Sequence, residues 1–256
     1  MSFTDKVVIV TGSSSGIGAA TAIKFAQEGA DVTLVGRNET KLKNVADQIE
    51  KIGKKPLVVK ADLAKDDETQ SIVEKTIERF GKLDVLVNNA ALVTLGCALD
   101  GKLLESFDGL MPANLRAPIF LTQLCAPHLV KTKGNIINVS SVGGTYVPKT
   151  PTFISYAICK AALDHFTRCM ALELAPSGVR VNCVKPGPVT TDIFENAGID
   201  SSRLDAVFAK LAEVSPLKKV TSSEEIADLI FFLASDKAKS ITGSINLCDN
   251  GYLLTN

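Results

Sequence analysis

Short, near-continuous apolar runs alternate along this chain with longer stretches in which apolar positions return at helical spacing. The runs fall at 6–11, 31–35, 56–61, 83–88, 135–140, 180–184 and 244–248 and read as strands. The helical stretches lie near 17–28, 39–52, 67–80, 99–111, 115–131, 153–175 and 223–234. Strand-then-helix alternation is the mark of βαβ units and a parallel sheet. Strands that are apolar at nearly every position, not at every second one, are covered by helices on both faces. The pattern has neither linker nor internal repeat. It predicts one domain over 1–256: α/β, doubly wound and Rossmann-type, with a seven-stranded parallel sheet.

The segment 190–216 breaks this rhythm. Ile193, Phe194, Ile199, Leu204, Val207, Phe208 and Leu211 are scattered among Gly, Asp and Ser after the sixth strand. This reads as a loop with short helices, and a long insertion in a compact domain is usually functional. The expectation is a mobile lid over an apolar substrate pocket.

Composition narrows the function. At 256 residues, with 46% hydrophobic and 22% charged, the chain can bury a core and is not disordered. Lys+Arg and Asp+Glu both number 28, without the basic excess of a nucleic-acid binder. Zero net charge also leaves self-association unopposed. The first apolar run, 7–10, is too short for a signal segment. No stretch approaches the ~18 apolar residues of a membrane span. The expected location is the cytoplasm. Cys97, Cys125, Cys159, Cys169, Cys183 and Cys248 contain no CxxC, and His128 and His165 lack a partner at ligand spacing. Reduced thiols, structural histidines and no metal site follow.

The first strand delivers Thr11-Gly12-Ser13-Ser14-Ser15-Gly16-Ile17-Gly18 and then a helix. Gly12 suits a tight turn, Gly16 a close approach of backbone to pyrophosphate, and Gly18 close packing of helix on strand. The helix N-terminus offers free N–H groups to phosphate. The spacing is G-x3-G-x-G, and no Gly-Lys-Ser/Thr follows as in a P-loop. The second strand ends Val35-Gly36-Arg37-Asn38, with no carboxylate to grip the ribose hydroxyls of NAD. Arg37 can instead fork onto a 2′-phosphate, with Asn38 and Ser13 adding hydrogen bonds. Asp62, before Leu63 at the end of the third strand, can accept from the adenine amino group or cap the next helix. Asn89 and Ala90 follow the fourth strand, at whose carboxyl end ligands of such sheets bind. In the long helix near 153–175, Tyr156 and Lys160 stand at i and i+4 and so share a face. A Lys charge beside a phenol, unperturbed near ~10, can bring it into working range as a general acid or base.

These motifs, with Asn88-Asn89-Ala90, Asn114, Ser140-Ser141 and Pro186-Gly187, occur in the order and roughly the spacing of the short-chain dehydrogenases/reductases. The sequence is similar to that family from about residue 4 to 252, most of all to its 3-oxoacyl-carrier-protein-reductase-like branch. Phe232-Leu233-Ala234-Ser235-Asp236, Ile241-Thr242-Gly243 and Asp249-Asn250-Gly251 fit its C-terminal pattern. The resemblance implies that Tyr156 donates the proton to the carbonyl oxygen. It implies that Lys160 lowers the phenol's pKa and holds the nicotinamide ribose, and that Tyr156 also touches the cofactor. By the same resemblance Ser141 binds the substrate oxygen and Asn114 holds a water in a proton relay. The nucleotide cleft would run past Ser14, Ile17, Asn89 and Ala90, with Pro186, Gly187, Val189 and Thr191 along the nicotinamide. Ala91 stands where the family usually has Gly. Ser141 lies further before Tyr156 than is usual, implying a small insertion at 145–151 and making Ser140 a rival. The usual Asp-Gly-Gly end is Asp249-Asn250-Gly251, where Asn also accepts positive φ.

The expected function is an NADP(H)-dependent oxidoreductase acting on a small carbonyl/alcohol pair of lipophilic character, assembled as a homotetramer. The alternative is an NAD(H)-dependent dehydrogenase of a steroid or other lipophilic alcohol, which Arg37 disfavours. A third class, a dinucleotide-binding scaffold without chemistry, would be expected to have lost Tyr156 or Lys160.

Overall fold

The computed structural model describes residues 2–147, 151–193 and 201–255. Its strands are β1 (Val7–Thr11), β2 (Asp31–Gly36), β3 (Leu57–Lys60), β4 (Val85–Asn88), β5 (Asn135–Val139), β6 (Arg180–Pro186) and β7 (Ile245–Cys248). Its helices are α1 (Gly16–Gln27), α2 (Glu39–Lys51), α3 (Asp66–Phe80), α4 (Leu103–Met111), α5 (Ala117–Thr132), α6 (Ile154–Leu174), α7 (Ser201–Val214) and α8 (Ser223–Ala234). The strands form one parallel sheet in the order β3-β2-β1-β4-β5-β6-β7. It is the doubly wound α/β domain expected.

Two-residue periodicity of the strands explains the two layers. Val8 and Val10 of β1 pack with Phe25 of α1, Leu42 of α2 and Ile230 of α8. Val7 and Ile9 point the other way and pack with Ile72 of α3, Leu121 of α5 and Leu174 of α6. All of β1, β4 and β5 is buried. Each fully buried Val, Ile or Leu contributes about 1.5–3 kcal/mol. Side-chain amides tie the layers together at the site. Asn88 Nδ2 donates to Asn138 Oδ1 at 2.9 Å, and Asn138 Nδ2 donates to Thr167 Oγ1 at 2.9 Å. This short polar chain links β4 and β5 to α6.

Three boundaries differ from the sequence pattern. The helix expected from 99 begins at Leu103, because Asp100 Oδ1 accepts from the Cys97 and Lys102 N–H groups and Gly101 takes φ +72°. That closes a turn instead. Helices α4 and α5 are joined by a π-helical turn, Pro112–Arg116. Pro112 has no N–H for the regular ladder, and the register widens there. After β6, residues 201–214 make one continuous helix where loop and short helices were expected. Gly198 and Pro216 bracket a stretch that contains neither residue type. Phe194 and Ile199 lie outside the described residues.

Candidate active site

The strand order reverses direction between β1 and β4, and a cleft opens there beyond the carboxyl ends of the strands. Its volume is about 630 Å³, and it runs from Gly12 and Arg37 to Tyr156 and Leu211.

At its glycine positions the β1–α1 turn has no room for a side chain. Gly12 takes φ +66°, and a Cβ there would sit 2.8 Å from Ala90 Cα. A Cβ on Gly18 would lie 2.2 Å from the Gly12 carbonyl oxygen, so α1 reaches the turn only without one. Thr11, which carried no role in the sequence reading beyond membership of the motif, clamps the turn. Its Oγ1 accepts from Asn89 N at 2.9 Å and Ala90 N at 3.1 Å. Asn89 Nδ2 donates back to Thr11 O at 2.9 Å. Ser15, the N-cap of α1, makes no side-chain capping bond among the described residues, so the first N–H groups of α1 lack that partner. A cradle that a Cβ would fill, beside an uncapped helix N-terminus, fits the pyrophosphate of a dinucleotide.

Ser14, Gly16, Ile17, Gly36, Arg37, Asp62, Leu63, Asn89 and Ala90 line this end. Asp62 also closes a turn, its Oδ1 accepting from Ala64 N at 3.1 Å. Arg37 is exposed, and no carboxylate pairs with it among the described residues. Ser13 and Asn38 make bonds within the fold. Ser13 is fully buried, and its hydroxyl accepts from Val35 N at 2.8 Å, pinning β2. Asn38 caps α2, its Oδ1 accepting from Lys41 N at 3.0 Å. The Ser13 hydroxyl is thus committed to backbone, whereas Asn38 is exposed and commits only its Oδ1.

At the other end, Ser141, Tyr156 and Lys160 converge, with Pro186, Gly187, Val189 and Thr191 along the wall. The Ser141 hydroxyl bonds the Tyr156 phenol. Ser140, the rival, borders the same cleft but donates to Lys160 O at 3.1 Å. Lys160 is 2% exposed, and its Nζ lies 5.6 Å from the centre of the Tyr156 ring and donates to Val139 O at 2.8 Å. Burial pulls its pKa down to about 8. Burial also pushes Tyr156 up to about 12, against the lowering effect of Ser141. Burial is thus the dominant influence on the phenol, and Val139 O holds the neighbouring ammonium. The Asn114 side chain is held within the fold. Its Oδ1 accepts from Leu92 N at 2.7 Å and its Nδ2 donates to Leu92 O at 2.8 Å. Its carboxamide thus holds the segment after β4 and does not line the cleft.

The sequence reading missed Tyr146, Phe153 and Tyr252, which line the reacting end beside Val93, Val142, Leu204, Val207 and Leu211. The Tyr146 and Tyr252 rings meet edge-on at 5.9 Å, and burial raises Tyr146 to about 12. These residues come from four separate segments, and no local motif announces them. Among the described residues, no group of three His, Cys, Asp or Glu side chains is placed to hold a metal. No described helix is long and apolar enough to cross a membrane.

The family model described as enoyl-(acyl carrier protein) reductase matches residues 12–253. A glucose 1-dehydrogenase of Gluconobacter oxydans is 38% identical over 98% of this chain and 93% of its own length. A 3-oxoacyl-[acyl-carrier-protein] reductase of Thermotoga maritima is 34% identical over 97% of this chain and 98% of its own. Among solved structures, a Caenorhabditis elegans short-chain dehydrogenase/reductase of unknown function, crystallised with cofactor, superposes with a TM-score of 0.93. It is 38% identical and covers 99% of this chain and 97% of that one. The chain belongs to the short-chain dehydrogenase/reductase family. It is an oxidoreductase whose fold is built for a nicotinamide dinucleotide.

Proposed function

We propose that this oxidoreductase interconverts a lipophilic carbonyl compound and its secondary alcohol, using NADP(H) in preference to NAD(H). The observation that carries this reading is one cleft joining a glycine cradle and Arg37 to Tyr156, Ser141 and Lys160. The cofactor would supply the hydride that adds to the carbonyl carbon. Tyr156, protonated at neutral pH because its pKa stands near about 12, donates its proton to the carbonyl oxygen. Ser141 hydrogen-bonds that oxygen and orients it. Lys160, near about 8, is close enough to neutrality to return a proton to the phenol side of the site. In alcohol oxidation each step reverses.

Substrate class rests on the wall. The names of the relatives span a sugar and an acyl carrier protein and do not choose between them. The lining of Val93, Val142, Phe153, Leu204, Val207 and Leu211 favours a lipophilic molecule. The 190–216 segment would be its lid. Arg37 without a carboxylate at Gly36 favours the 2′-phosphate of NADP(H). Assembly as a homotetramer is supported by exposed apolar residues on two elements, Ile158 and Leu172 of α6 and Leu247 of β7.

The test is a panel of aldehydes and ketones, from sugars to long-chain and polycyclic compounds, followed by NADPH consumption and repeated with NADH. Turnover of apolar ketones with NADPH ahead of NADH is expected. Faster turnover with NADH, or of sugars alone, contradicts the reading.

A further inference from the structure

One turn beyond Lys160 on α6 stands Asp164, so Tyr156, Lys160 and Asp164 form a row at i, i+4 and i+8 on one helix face. Asp164 is 6% exposed, and β6 meets it with Lys185, also 6% exposed. The Lys185 ammonium pairs with Asp164 Oδ2 and donates to Thr145 Oγ1. Cys183 Sγ reaches the other carboxylate oxygen at 3.6 Å. Stability does not explain such a pair, because replacing a buried ion pair by apolar residues is often neutral or favourable. Its position does. Asp164 acts on Lys160, helping to keep it charged against burial.

The titratable groups around Lys160 are Tyr156, Cys159 and Asp164 of α6 and Cys183 and Lys185 of β6, with Tyr146 beyond Tyr156. Burial raises both cysteines and the two tyrosines, so they remain neutral near pH 7. Asp164 and Lys185 are then the charges beside it among the described residues. Without Lys185, the buried carboxylate would find its nearest cation one turn away, in Lys160. That would draw Nζ away from Val139 O and the Tyr156 ring.

We infer that Lys185 is a positioning residue that occupies Asp164 and so leaves the Lys160 ammonium directed to Val139 and the reacting end of the cleft. Through Thr145 it also ties the segment carrying Ser141 and Tyr146 to the sheet. The inference rests on the Tyr156–Lys160 reading above.

The test is the pH profile of kcat/KM for ketone reduction in Lys185→Met, Asp164→Asn and the double variant Lys185→Met/Asp164→Leu. In Lys185→Met, Asp164 pairs with Lys160, so kcat falls about tenfold. The alkaline limb set by Lys160 moves up by about one unit. In Asp164→Asn, which takes the carboxylate away, the limb moves down. The double variant replaces the pair with apolar groups and returns rate and limb to within about threefold and half a unit of wild type. A merely structural role would lower Tm and leave the limb in place. If the limb stays put in Lys185→Met and in Asp164→Asn while Tyr156→Phe abolishes turnover, the inference fails and the site reading stands. If Tyr156→Phe keeps its turnover, both fall.

Discussion

Where β1 meets α1 the cleft is shaped by glycine backbone, with Gly12 and Gly16 on its wall, Gly18 packed beneath, and Thr11 and Asn89 bonded across the turn. At the α6 end the wall is side chain: Tyr156, Lys160, Ser141 and Tyr146, set in an apolar surround. The first end works by shape, since a Cβ on Gly12 or Gly18 would collide with backbone. The second works by burial, which moves Lys160 down to about 8 and Tyr156 up to about 12. A shape-built end fails when any atom is added. A burial-tuned end tolerates changes of shape and fails when a proton is lost. The two ends should therefore be separable by mutation.

The largest effect belongs to the reacting end. Tyr156→Phe removes one hydroxyl and should lower kcat by about 100- to 10,000-fold, the usual worth of general acid–base catalysis. Steady-state NADPH consumption measures it. At the phosphate end, Gly18→Ala puts a methyl 2.2 Å from Gly12 O. Overpacking of this kind costs about 1–3 kcal/mol, read as a fall in Tm, and here it should also weaken NADPH binding. Arg37→Ala should lower kcat/KM with NADPH by about ten- to a hundredfold, the worth of a charged contact, and change that with NADH little. Unchanged selectivity would remove the basis for the NADP(H) preference.

Smaller effects sharpen the reacting end. Ser141→Ala should cost more kcat/KM than Ser140→Ala, because the Ser141 hydroxyl bonds Tyr156 and that of Ser140 bonds Lys160 O. The reverse ranking would exchange their roles. Wild-type reduction should fall as pH rises through about 8, where Lys160 loses its charge, and not wait for Tyr156 near about 12. A flat profile to well above that point would remove Lys160 from the mechanism.

The layout of the sheet could be read in the chain because strand and helix periods are local. The glycine turn was legible for the same reason, as each Gly answers to its own φ or to a neighbour across one turn. Tyr156 and Lys160 were legible because helical spacing puts them together. What escaped depends on contacts between distant segments. Ser13 looks available until β2 closes over it 22 residues on, and Asn114 until Leu92 takes both ends of its amide. Tyr252 joins the cleft from near the C-terminus, and Lys185 meets Asp164 only when β6 packs on α6. The burial that raises Tyr156 was not legible either, because pattern reveals a neighbouring charge but not desolvation.

The separability of the two ends is tested most directly by the NADPH dissociation constant of Tyr156→Phe, titrated by the fluorescence of the bound nucleotide. The account predicts a value within about threefold of wild type, since the lost hydroxyl is an interaction of the reacting end. Binding weakened by more than about thirtyfold, roughly 2 kcal/mol, would mean that the phenol helps to hold the cofactor and that the cleft is not divided in this way.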